Sequence, residues 1–304
     1  MSIPTISYED GEAVLDWIAL TDALAAAHDL PRAEVADTFL YRGDDTLLTR
    51  SAWIDGLGLA IKAATIFPGN PDRGLGTVNG MMSLLSDTDG TLEAMIDFHL
   101  VTKWKTAADS LLAARRLARP DSRDILIVGA GAVARSLREA YGAAFPEARF
   151  TIWNRTAAKA EALAADFPDT ATAIDLPDAV GAADIICCAT SGTVPVLNGA
   201  WLRPGQHVDL IGAYRPDMRE ADDEAMRRAR IFVDSRDTTI HHIGEIALAI
   251  ASGAITEQKI LADYYDLAAF TRAPDDITLF KNGGGAHLDL MTARHILTAW
   301  TDAQ

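Results

Sequence analysis

The sequence predicts an α/β protein in which a parallel-sheet domain follows an N-terminal domain of α+β character. Three observations support this fold class. From Asp124 onward, apolar runs of strand length alternate with segments of helical periodicity, which is typical of a parallel sheet with right-handed crossovers. Before that point, short apolar runs follow one another with turn clusters between them. Finally, the apolar run Ile125–Val128 breaks directly into a glycine-rich turn and a helical pattern.

The N-terminal domain is expected to combine a long helix with an antiparallel or mixed sheet. Apolar residues at helical spacing predict a helix over Glu12–His28. Alternating or apolar runs predict strands at Asp37–Tyr41, Asp45–Arg50, Gly58–Phe67, Thr77–Leu85 and Thr91–Phe98. The turn residues 86–90 make the last two strands a hairpin. An Ala- and Leu-rich helix over Lys103–Arg119, ended by Pro120, is expected to link the two domains.

The second domain is expected to be built from alternating strands and helices. Strands are predicted at Asp124–Val128, Phe150–Trp153, Asp184–Thr190, His207–Ile211 and Ile231–Asp234. Helices are predicted at Val133–Ala144, Ala157–Asp166, near Ala200, Ala221–Ala229 and Ile243–Ser252. A final helix, Ala286–Trp300, is expected to return to the N-terminal domain. The predicted domains are therefore residues 1–106, completed by 284–304, and residues 107–283.

The turn after the first strand of the second domain has the spacing of a dinucleotide-binding site. Gly129, Gly131 and Ala134 form the pattern Gly-x-Gly-x-x-Ala. Gly129 permits a tight turn, Gly131 lets the backbone approach a pyrophosphate, and Ala134 lets the helix pack close to its strand. The N-terminus of that helix supplies amide hydrogens to the anion. The pattern therefore predicts a Rossmann-type domain that binds NAD(P)H.

The end of the second strand of this domain bears on the choice between NADH and NADPH. NAD-specific domains commonly place Asp or Glu there to bind the ribose 2′-hydroxyl, whereas this chain reads Asn154-Arg155-Thr156. Arg155 offers a cation for a 2′-phosphate, which favours NADPH. The same guanidinium can instead stack on adenine, so NADH stays open.

Composition and charge exclude several classes of partner. The formal net charge of −16 disfavours nucleic acids and anionic membranes. The apolar runs are too short to span a bilayer, and the first residues lack the pattern of an export signal, so a cytoplasmic protein is expected. The adjacent Cys187 and Cys188 are expected to be core thiols. No metal site is expected, because no nearby residues have ligand spacing.

Several stretches in order along the chain resemble the ornithine cyclodeaminase/mu-crystallin family. They are Phe67-Pro-Gly-Asn-Pro71, Gly74-Leu-Gly-Thr-Val78, Thr106-Ala-Ala-Asp-Ser110, Gly129-Ala-Gly-Ala132, Trp153-Asn-Arg-Thr156, Gly212-Ala-Tyr-Arg-Pro-Asp-Met-Arg-Glu220, Val233-Asp-Ser-Arg236 and Phe280-Lys281. The resemblance implies NAD(H) or NADP(H) binding and activity as a cyclodeaminase, alanine dehydrogenase or ketimine reductase. It also implies homodimers built through the N-terminal domain, with an active site in the interdomain cleft.

The resemblance implies three cations that hold the substrate carboxylate, at Arg32, Lys62 and Lys105. The family has Arg where this chain has Lys105, and a lysine cannot form the bidentate fork of an arginine. A second departure places Arg50 where the family usually reads Met-Pro-Ala. A third places Tyr214 where the cyclodeaminases have a catalytic Asp, so ornithine cyclodeamination is not expected.

Each of these residues also has a plainer interpretation. Lys62 is a candidate proton donor to an imine, or else an edge-strand lysine that blocks aggregation. Arg32, Arg50 and Lys105 are substrate ligands or solvated surface charges. His242 is a candidate catalytic residue and His241 a substrate ligand, although histidines before a helix often have no role. Tyr214 is a further candidate catalytic residue that hydrogen-bonds the substrate, or else it merely packs. The predicted cofactor-binding residues are Thr77, Lys105, Thr106, Gly129, Gly131, Ala132, Val133, Asn154, Arg155, Thr156, Ala189, Thr190, Ser191 and Gly212.

Together these features predict an NAD(P)H-dependent imine reductase acting on a small anionic α-imino acid. Four candidate cations exceed the need of one carboxylate, so a dicarboxylic imine such as iminosuccinate, reduced to aspartate, is the favoured substrate. The alternatives are a cyclic ketimine reductase for pyrroline- or piperideine-2-carboxylate, an enzyme like alanine dehydrogenase, and a crystallin-like binding protein regulated by NADP.

Overall fold

The computed structural model describes residues 3–304, which fold into two compact units. The first unit comprises Met1–Lys105 with Gly285–Gln304, and the second comprises Thr106–Gly284. The boundaries predicted from the sequence, after residues 106 and 283, each lie one residue away from these. Within residues 3–304, no helix is both long and apolar enough to cross a membrane.

The first unit is a six-stranded sheet with four helices in its sequence range. In spatial order the strands are β1 (Thr5–Ile6), β6 (Leu92–Asp97), β5 (Val78–Leu85), β4 (Gly58–Ile66), β3 (Asp45–Ile54) and β2 (Glu34–Arg42). β1 pairs parallel with β6 and all other pairs are antiparallel, so the sheet is mixed. The helices are α1 (Tyr8–Glu12), α2 (Trp17–Ala27), α3 (Phe98–Leu117), which extends past the unit boundary, and α10 (Ala286–Asp302).

The two faces of this sheet differ in what covers them. α10 packs on the face of β3 and β4 that carries Arg50 and Lys62, which we call the inner face. Ala52, Ile54 and Ala60 on the same face are buried. The opposite, outer face leaves five large apolar side chains exposed, namely Leu40, Leu47, Trp53, Ile61 and Met81.

Two helices of the first unit begin elsewhere than the sequence predicts. The helix predicted over Glu12–His28 is wrong as a single element, because the Asp16 side chain accepts a hydrogen bond from Ala19 N (2.8 Å) and starts a new helix, α2. Similarly, α3 begins at Phe98 rather than Lys103. Asp97 Oδ1 accepts a hydrogen bond from Leu100 N (2.9 Å), which caps the helix directly after β6.

The second unit is built on an eight-stranded parallel sheet, which confirms the predicted fold class. In spatial order the strands are β13 (Ile260–Ala262), β12 (Arg230–Val233), β14 (Thr278–Lys281), β11 (His207–Leu210), β10 (Ile185–Cys188), β7 (Asp124–Val128), β8 (Arg149–Trp153) and β9 (Thr170–Thr172). The helices are α4 (Ala132–Ala144), α5 (Ala157–Ala165), α6 (Leu176–Ala182), α7 (Asp223–Arg228), α8 (Arg236–Thr239) and α9 (Gly244–Ala251). The sequence prediction missed β9 and β13, whose three residues carry too little periodicity, and it also missed β14.

The centre of this sheet is fully buried and fixes where a ligand can bind. Every residue of β10, β11 and β14 is buried, including Cys187 and Cys188, whose thiols are unbridged. β7 lies between β8 and β10, so the chain leaves β7 in one direction and later returns on its other side. In an open parallel sheet, ligands bind at the carboxyl ends of the strands at such a point.

Candidate active site

The turn after β7 has the geometry that a dinucleotide requires. Gly129 has a φ of +125°, and a Cβ there would lie 2.5 Å from the Ala189 carbonyl oxygen, so only glycine fits. A Cβ on Gly131 would meet nothing within 4 Å, which leaves open space in front of the next helix. Helix α4 begins at Ala132 without a side-chain cap, so its first amide groups are available to an anion. These residues fit the pyrophosphate of NAD(P)H.

The loops that follow β10 and β11 are held together by one buried carboxylate. Glu220 Oε1 accepts hydrogen bonds from Thr190 N (2.7 Å) and Thr190 Oγ1 (2.8 Å), and its Oε2 accepts one from Gly212 N (2.6 Å). Glu245 in turn accepts hydrogen bonds from Glu220 N (2.8 Å) and Ala221 N (3.0 Å). Two predicted cofactor residues, Thr190 and Gly212, are thus positioned by a glutamate to which sequence reasoning gave no role.

The charges around Glu220 are buried and close together. Burial raises the pKa of Glu220 to about 8, with the neighbouring Glu245 adding to the rise and Lys281 opposing it. Burial likewise raises the pKa of Glu245. Lys281 is fully buried and donates to the carbonyl oxygens of Leu210 (2.9 Å) and Asn282 (2.7 Å). Lys281 therefore joins the carboxyl ends of β11 and β14, close enough to the two buried glutamates to act on their pKa values.

The remaining predicted cofactor residues fall into two groups. Those of the second unit follow the carboxyl ends of β7, β8, β10 and β11 or, in the case of Thr106, lie in α3. Arg155 is exposed after β8, and Asn154 Nδ2 donates to Thr156 O (3.0 Å). Thr77 and Lys105 belong to the first unit. The cofactor roles of all these residues remain predictions.

A cluster of charged side chains lies on the inner face of the first unit. Lys62 Nζ lies 2.9 Å from Asp289 Oδ1, and the two side chains are only 9% and 1% exposed. The Lys62 ammonium also lies 4.8 Å from the centre of the Phe98 ring. Lys62 is on β4, an inner strand, so its interpretation as an edge-strand lysine is wrong. Asp289, in the first turn of α10, was missed because nothing local in the sequence connects it to Lys62.

Burial and neighbouring charges shift the pKa values of this pair in a consistent way. Burial lowers the pKa of Lys62 below its usual value, and the positive charges of Lys105 and Arg50 lower it further, while Asp289 opposes the shift. Burial acts to raise the pKa of Asp289, but Lys62, Lys105 and Arg50 outweigh it and hold that pKa below its usual value. The lysine is therefore closer to neutrality than a surface lysine, which suits a group that gives up a proton.

Arg50 is paired with a residue of the neighbouring strand. Its Nε donates to Asp37 Oδ2 (3.0 Å) and its Nη2 donates to the same oxygen (2.8 Å), with a further Nε contact to Oδ1 (3.1 Å). Lys105 is buried in α3, whereas Arg32 is exposed in the segment before β2. The structure thus brings Arg50, Lys62 and Lys105 together and leaves Arg32 at the surface.

Two buried histidines complete the surroundings of the cluster. The rings of His28 and His287 meet edge to face with centroids 5.8 Å apart. Burial lowers the pKa of His287 to about 3, and the charges of His28 and Lys105 lower it as well. His287 is therefore neutral at pH 7 and adds no charge to the cluster. Neither histidine was singled out from the sequence.

The residues predicted around the histidine pair and the tyrosine lie at the surface of the second unit. His241 and His242 are exposed before α9, and His241 Nε2 lies 3.5 Å from Glu257 Oε2. Tyr214, in the segment after β11, is 65% exposed. Their catalytic and substrate-binding roles remain predictions. Among residues 3–304, no group of three or more His, Cys, Asp and Glu side chains could hold a metal ion.

Comparison with known proteins settles the family. The family model described as "Ornithine cyclodeaminase/mu-crystallin family" matches residues 51–304, which is most of the chain. The chain belongs to the ornithine cyclodeaminase/mu-crystallin family. The resemblance found in the sequence is therefore confirmed.

Relatives within the family point to a common chemistry. The Delta(1)-pyrroline-2-carboxylate reductase of Paracoccus denitrificans strain Pd 1222 is 52% identical over 300 residues, which cover 96% of this chain and 95% of the relative. The ketimine reductase mu-crystallin of Mus musculus is 32% identical over 249 residues, covering 81% and 77%. A solved structure of Thermococcus litoralis Delta(1)-pyrroline-2-carboxylate reductase, in complex with NADH and L-proline, matches with a TM-score of 0.90 and 25% identity, covering 99% and 98%.

These relatives confirm the predicted enzyme class. The chain is an oxidoreductase that uses a nicotinamide cofactor and acts on CH–NH (imine) bonds. The geometry of the candidate site is therefore interpreted as that of an imine-reducing member of the family.

Proposed function

We propose that this family member reduces cyclic ketimines, with Δ1-pyrroline-2-carboxylate as its main substrate and proline as the product. In the reaction, a hydride adds to the imine carbon and a proton adds to the imine nitrogen, while NAD(P)H becomes NAD(P)⁺. The relative that is 52% identical carries the name of this activity. This substrate replaces iminosuccinate as the favoured one.

The observation that carries the proposal is the charge balance of the cluster in the first unit. Three cations, Arg50, Lys62 and Lys105, lie together with two carboxylates, Asp37 and Asp289. The cluster therefore has a net charge of about +1 at pH 7. A substrate with one carboxylate neutralises it, whereas a dicarboxylate would leave an excess negative charge in a largely buried setting. The sequence argument had counted four cations without their partners.

The chain's own residues have separable roles in this proposal. Lys105 binds the single carboxylate of the substrate, and the ammonium of Lys62 donates a proton to the imine nitrogen, while Arg50 stays paired with Asp37. Asp289 occupies one of the three N–H donors of Lys62 and so orients the others. When bound, the reduced nicotinamide supplies the hydride. The buried, low-dielectric setting strengthens each of these interactions.

We further propose a preference for NADPH over NADH. No acidic residue follows β8, where a carboxylate would bind the ribose 2′-hydroxyl and repel a 2′-phosphate. Arg155 is exposed at that point and can pair with the phosphate.

We also propose that the protein is a homodimer formed through the outer face of the first unit's sheet. Leu40, Leu47, Trp53, Ile61 and Met81 lie on that face and are each 37–61% exposed. Five exposed apolar side chains on one sheet face are typical of an interface rather than of a monomer surface, and the edge strand β2 exposes Val35, Phe39 and Tyr41 on the other face as well. A cytoplasmic location is consistent with the two adjacent, unbridged thiols.

A second candidate substrate, iminosuccinate, is favoured by one observation. Arg50 stands where other family members have an apolar residue, and its side chain remains 27% exposed. A guanidinium at this place could bind a second carboxylate if it were released from Asp37.

The test is the oxidation of NADPH and NADH by the purified protein with a panel of imines. The panel comprises Δ1-pyrroline-2-carboxylate, Δ1-piperideine-2-carboxylate, and oxaloacetate or pyruvate with ammonia. We expect the highest kcat/KM with Δ1-pyrroline-2-carboxylate. A higher kcat/KM with oxaloacetate and ammonia supports iminosuccinate as the substrate. A higher kcat/KM with pyruvate and ammonia indicates an enzyme like alanine dehydrogenase. Tight NADPH binding with no oxidation by any imine would instead indicate a crystallin-like binding protein.

Substitution of two lysines tests whether Lys62 takes part in catalysis. Lys62→Met is expected to lower kcat/KM by at least a hundredfold, because general acid catalysis contributes about 10²–10⁴. Lys103→Met is the matched control, since Lys103 pairs with Glu12 in the same unit and lies outside the cluster. Equal activity in the two variants would contradict the proposed role of Lys62.

A further inference from the structure

A row of charged residues crosses the inner face from the edge of the sheet toward its centre. In the strand register, Asp37 on β2 lies opposite Arg50 on β3, and Arg50 lies opposite Lys62 on β4. Directly opposed residues on one face have Cβ atoms about 5 Å apart. The row therefore places the Cβ atoms of Asp37 and Lys62 about 10 Å apart, with Arg50 between them. Asp37 plays no part in the proposed reaction, so its presence needs an explanation.

The pairing of Asp37 with Arg50 uses the part of the guanidinium that would otherwise bind a carboxylate. Arg50 Nε donates to Asp37 Oδ1 (3.1 Å) and Oδ2 (3.0 Å), and Arg50 Nη2 donates to Oδ2 (2.8 Å), so each carboxylate oxygen is engaged. This is the side-on fork with which arginine holds carboxylates. The two side chains are 31% and 27% exposed, so the pair is neither sealed in the core nor free in solvent.

The position of β2 also matters, because it is the edge strand of the sheet. β2 pairs with β3 alone, and every residue of β2 is exposed. A change of one polar atom at Asp37 therefore disturbs little packing. The charge of Asp37 acts on the cluster mainly through Arg50.

We propose that Asp37 determines specificity by occupying the Arg50 fork in place of a second substrate carboxylate. The inference rests on the proposed function, since it explains why the cluster accepts monocarboxylic imines. A dicarboxylate must displace Asp37 from Arg50 and leave two carboxylates competing for one guanidinium. Specificity of this kind comes from a repulsive element as much as from an attractive one. Asp37 is thus a positioning residue that acts through Arg50.

The proposal predicts a change of substrate ratio rather than a simple loss of activity. Asp37→Asn removes the charge but keeps the shape, and its single carbonyl oxygen holds the guanidinium less firmly. We expect kcat/KM for iminosuccinate, formed from oxaloacetate and ammonia, to rise at least tenfold relative to that for Δ1-pyrroline-2-carboxylate. The gain is expected in KM, with kcat changed by less than about twofold. Inhibition by L-aspartate relative to L-proline should increase in parallel.

The controls keep a structural explanation apart from the proposed one. Asp37→Glu preserves the charge and is expected to leave the substrate ratio within about threefold of the wild type. Asp45→Asn breaks a similar ion pair with Arg42 on the same two strands, outside the cluster, and is expected to leave the ratio unchanged. Thermal unfolding of each variant shows whether the fold is kept.

The outcomes distinguish the two proposals. A rise of the ratio in Asp37→Asn alone supports the role of Asp37. A wild type that reduces Δ1-pyrroline-2-carboxylate, together with an unchanged ratio in Asp37→Asn, overturns this inference and leaves the proposed function standing. The same ratio change in Asp45→Asn would also overturn it. A wild type that reduces neither imine overturns both.

Discussion

Replacing Asp289 by asparagine tests the central ion pair of the first unit. The substitution removes the carboxylate that lies 2.9 Å from Lys62 Nζ and leaves the side-chain shape almost unchanged. Lys62 then has two routes. It keeps its charge without its partner in a site where it is 9% exposed, or it loses its proton.

The cost of each route can be worked out. Removing one partner of a buried ion pair costs about 3–5 kcal/mol. At pH 7 the medium lies about 3.5 pH units below the ordinary lysine pKa of 10.5, so deprotonation costs about 5 kcal/mol. Loss of a negative charge in the first turn of α10 adds about 0.5 kcal/mol. We therefore expect the free energy of unfolding at pH 7 to fall by about 3.5–5.5 kcal/mol.

The loss of stability in Asp289→Asn is expected to depend on pH. Asp289 opposes the lowering of the Lys62 pKa, so its loss lowers that pKa further. Between the lowered pKa and 10.5, the unfolded chain binds more protons than the folded one, and stability rises with pH. The deficit of Asp289→Asn relative to the wild type should therefore shrink from pH 7 to pH 9, by at most about 2.7 kcal/mol.

Urea unfolding at both pH values measures this difference. The double variant Lys62→Met/Asp289→Leu, which replaces the pair by apolar side chains, is expected to be more stable than Asp289→Asn. Glu12→Gln, at a partly exposed ion pair with Lys103, is the control and should cost less than about 1 kcal/mol. The reasoning is refuted if Asp289→Asn costs no more than Glu12→Gln, or if its deficit is the same at pH 7 and pH 9.

Three further predictions address the cofactor and the assembly. Glu220→Gln should raise the Kd for NADPH about tenfold in a fluorescence titration, because the glutamine amide offers one acceptor oxygen where both oxygens of Glu220 accept from the three donors of Thr190 and Gly212. Glu224→Gln is its control, because the Glu224 side chain on α7 is 45% exposed, and equal Kd values in both would contradict the role of Glu220. Arg155→Ser should lower kcat/KM about tenfold with NADPH and less than about twofold with NADH; an equal loss with both would rule out a phosphate contact. Ile61→Glu should convert a dimer to a monomer in light scattering, and a wild type that is already monomeric would disprove the proposed interface.

The alternating strands and helices of the second unit show how much of a fold local sequence patterns can predict. The five strands β7, β8, β10, β11 and β12 were predicted close to their observed positions, because each is an apolar run bounded by turn residues or helical segments. β14 was missed, although it lies between β11 and β12 and completes the sheet. Its four residues are recognisable as a strand only once two neighbours are in place to pair with them.

The candidate site was likewise predicted only in part from the sequence. The sequence located Lys62 and Lys105 through the family resemblance, and Arg50 as a departure from it. It could not supply their partners. The hairpin register that places Asp37 opposite Arg50 depends on pairing along the whole of β2 and β3. The buried histidines beside the cluster are also far apart in the sequence. His28 directly follows α2, and His287 lies in α10.

By itself, the sequence determined the nucleotide-binding turn, because the constraints there are local: a left-handed backbone at Gly129, open space at Gly131 and a helix start directly after them. Only the tertiary structure decided the net charge of the cluster of charged side chains on the inner face. Lys62 and Asp289 are 227 residues apart in the chain, and they meet because α10 packs on the inner face of the sheet. Since electrostatic energy depends on distance in space and not along the chain, a count of cations in the sequence overstated the charge left for a substrate.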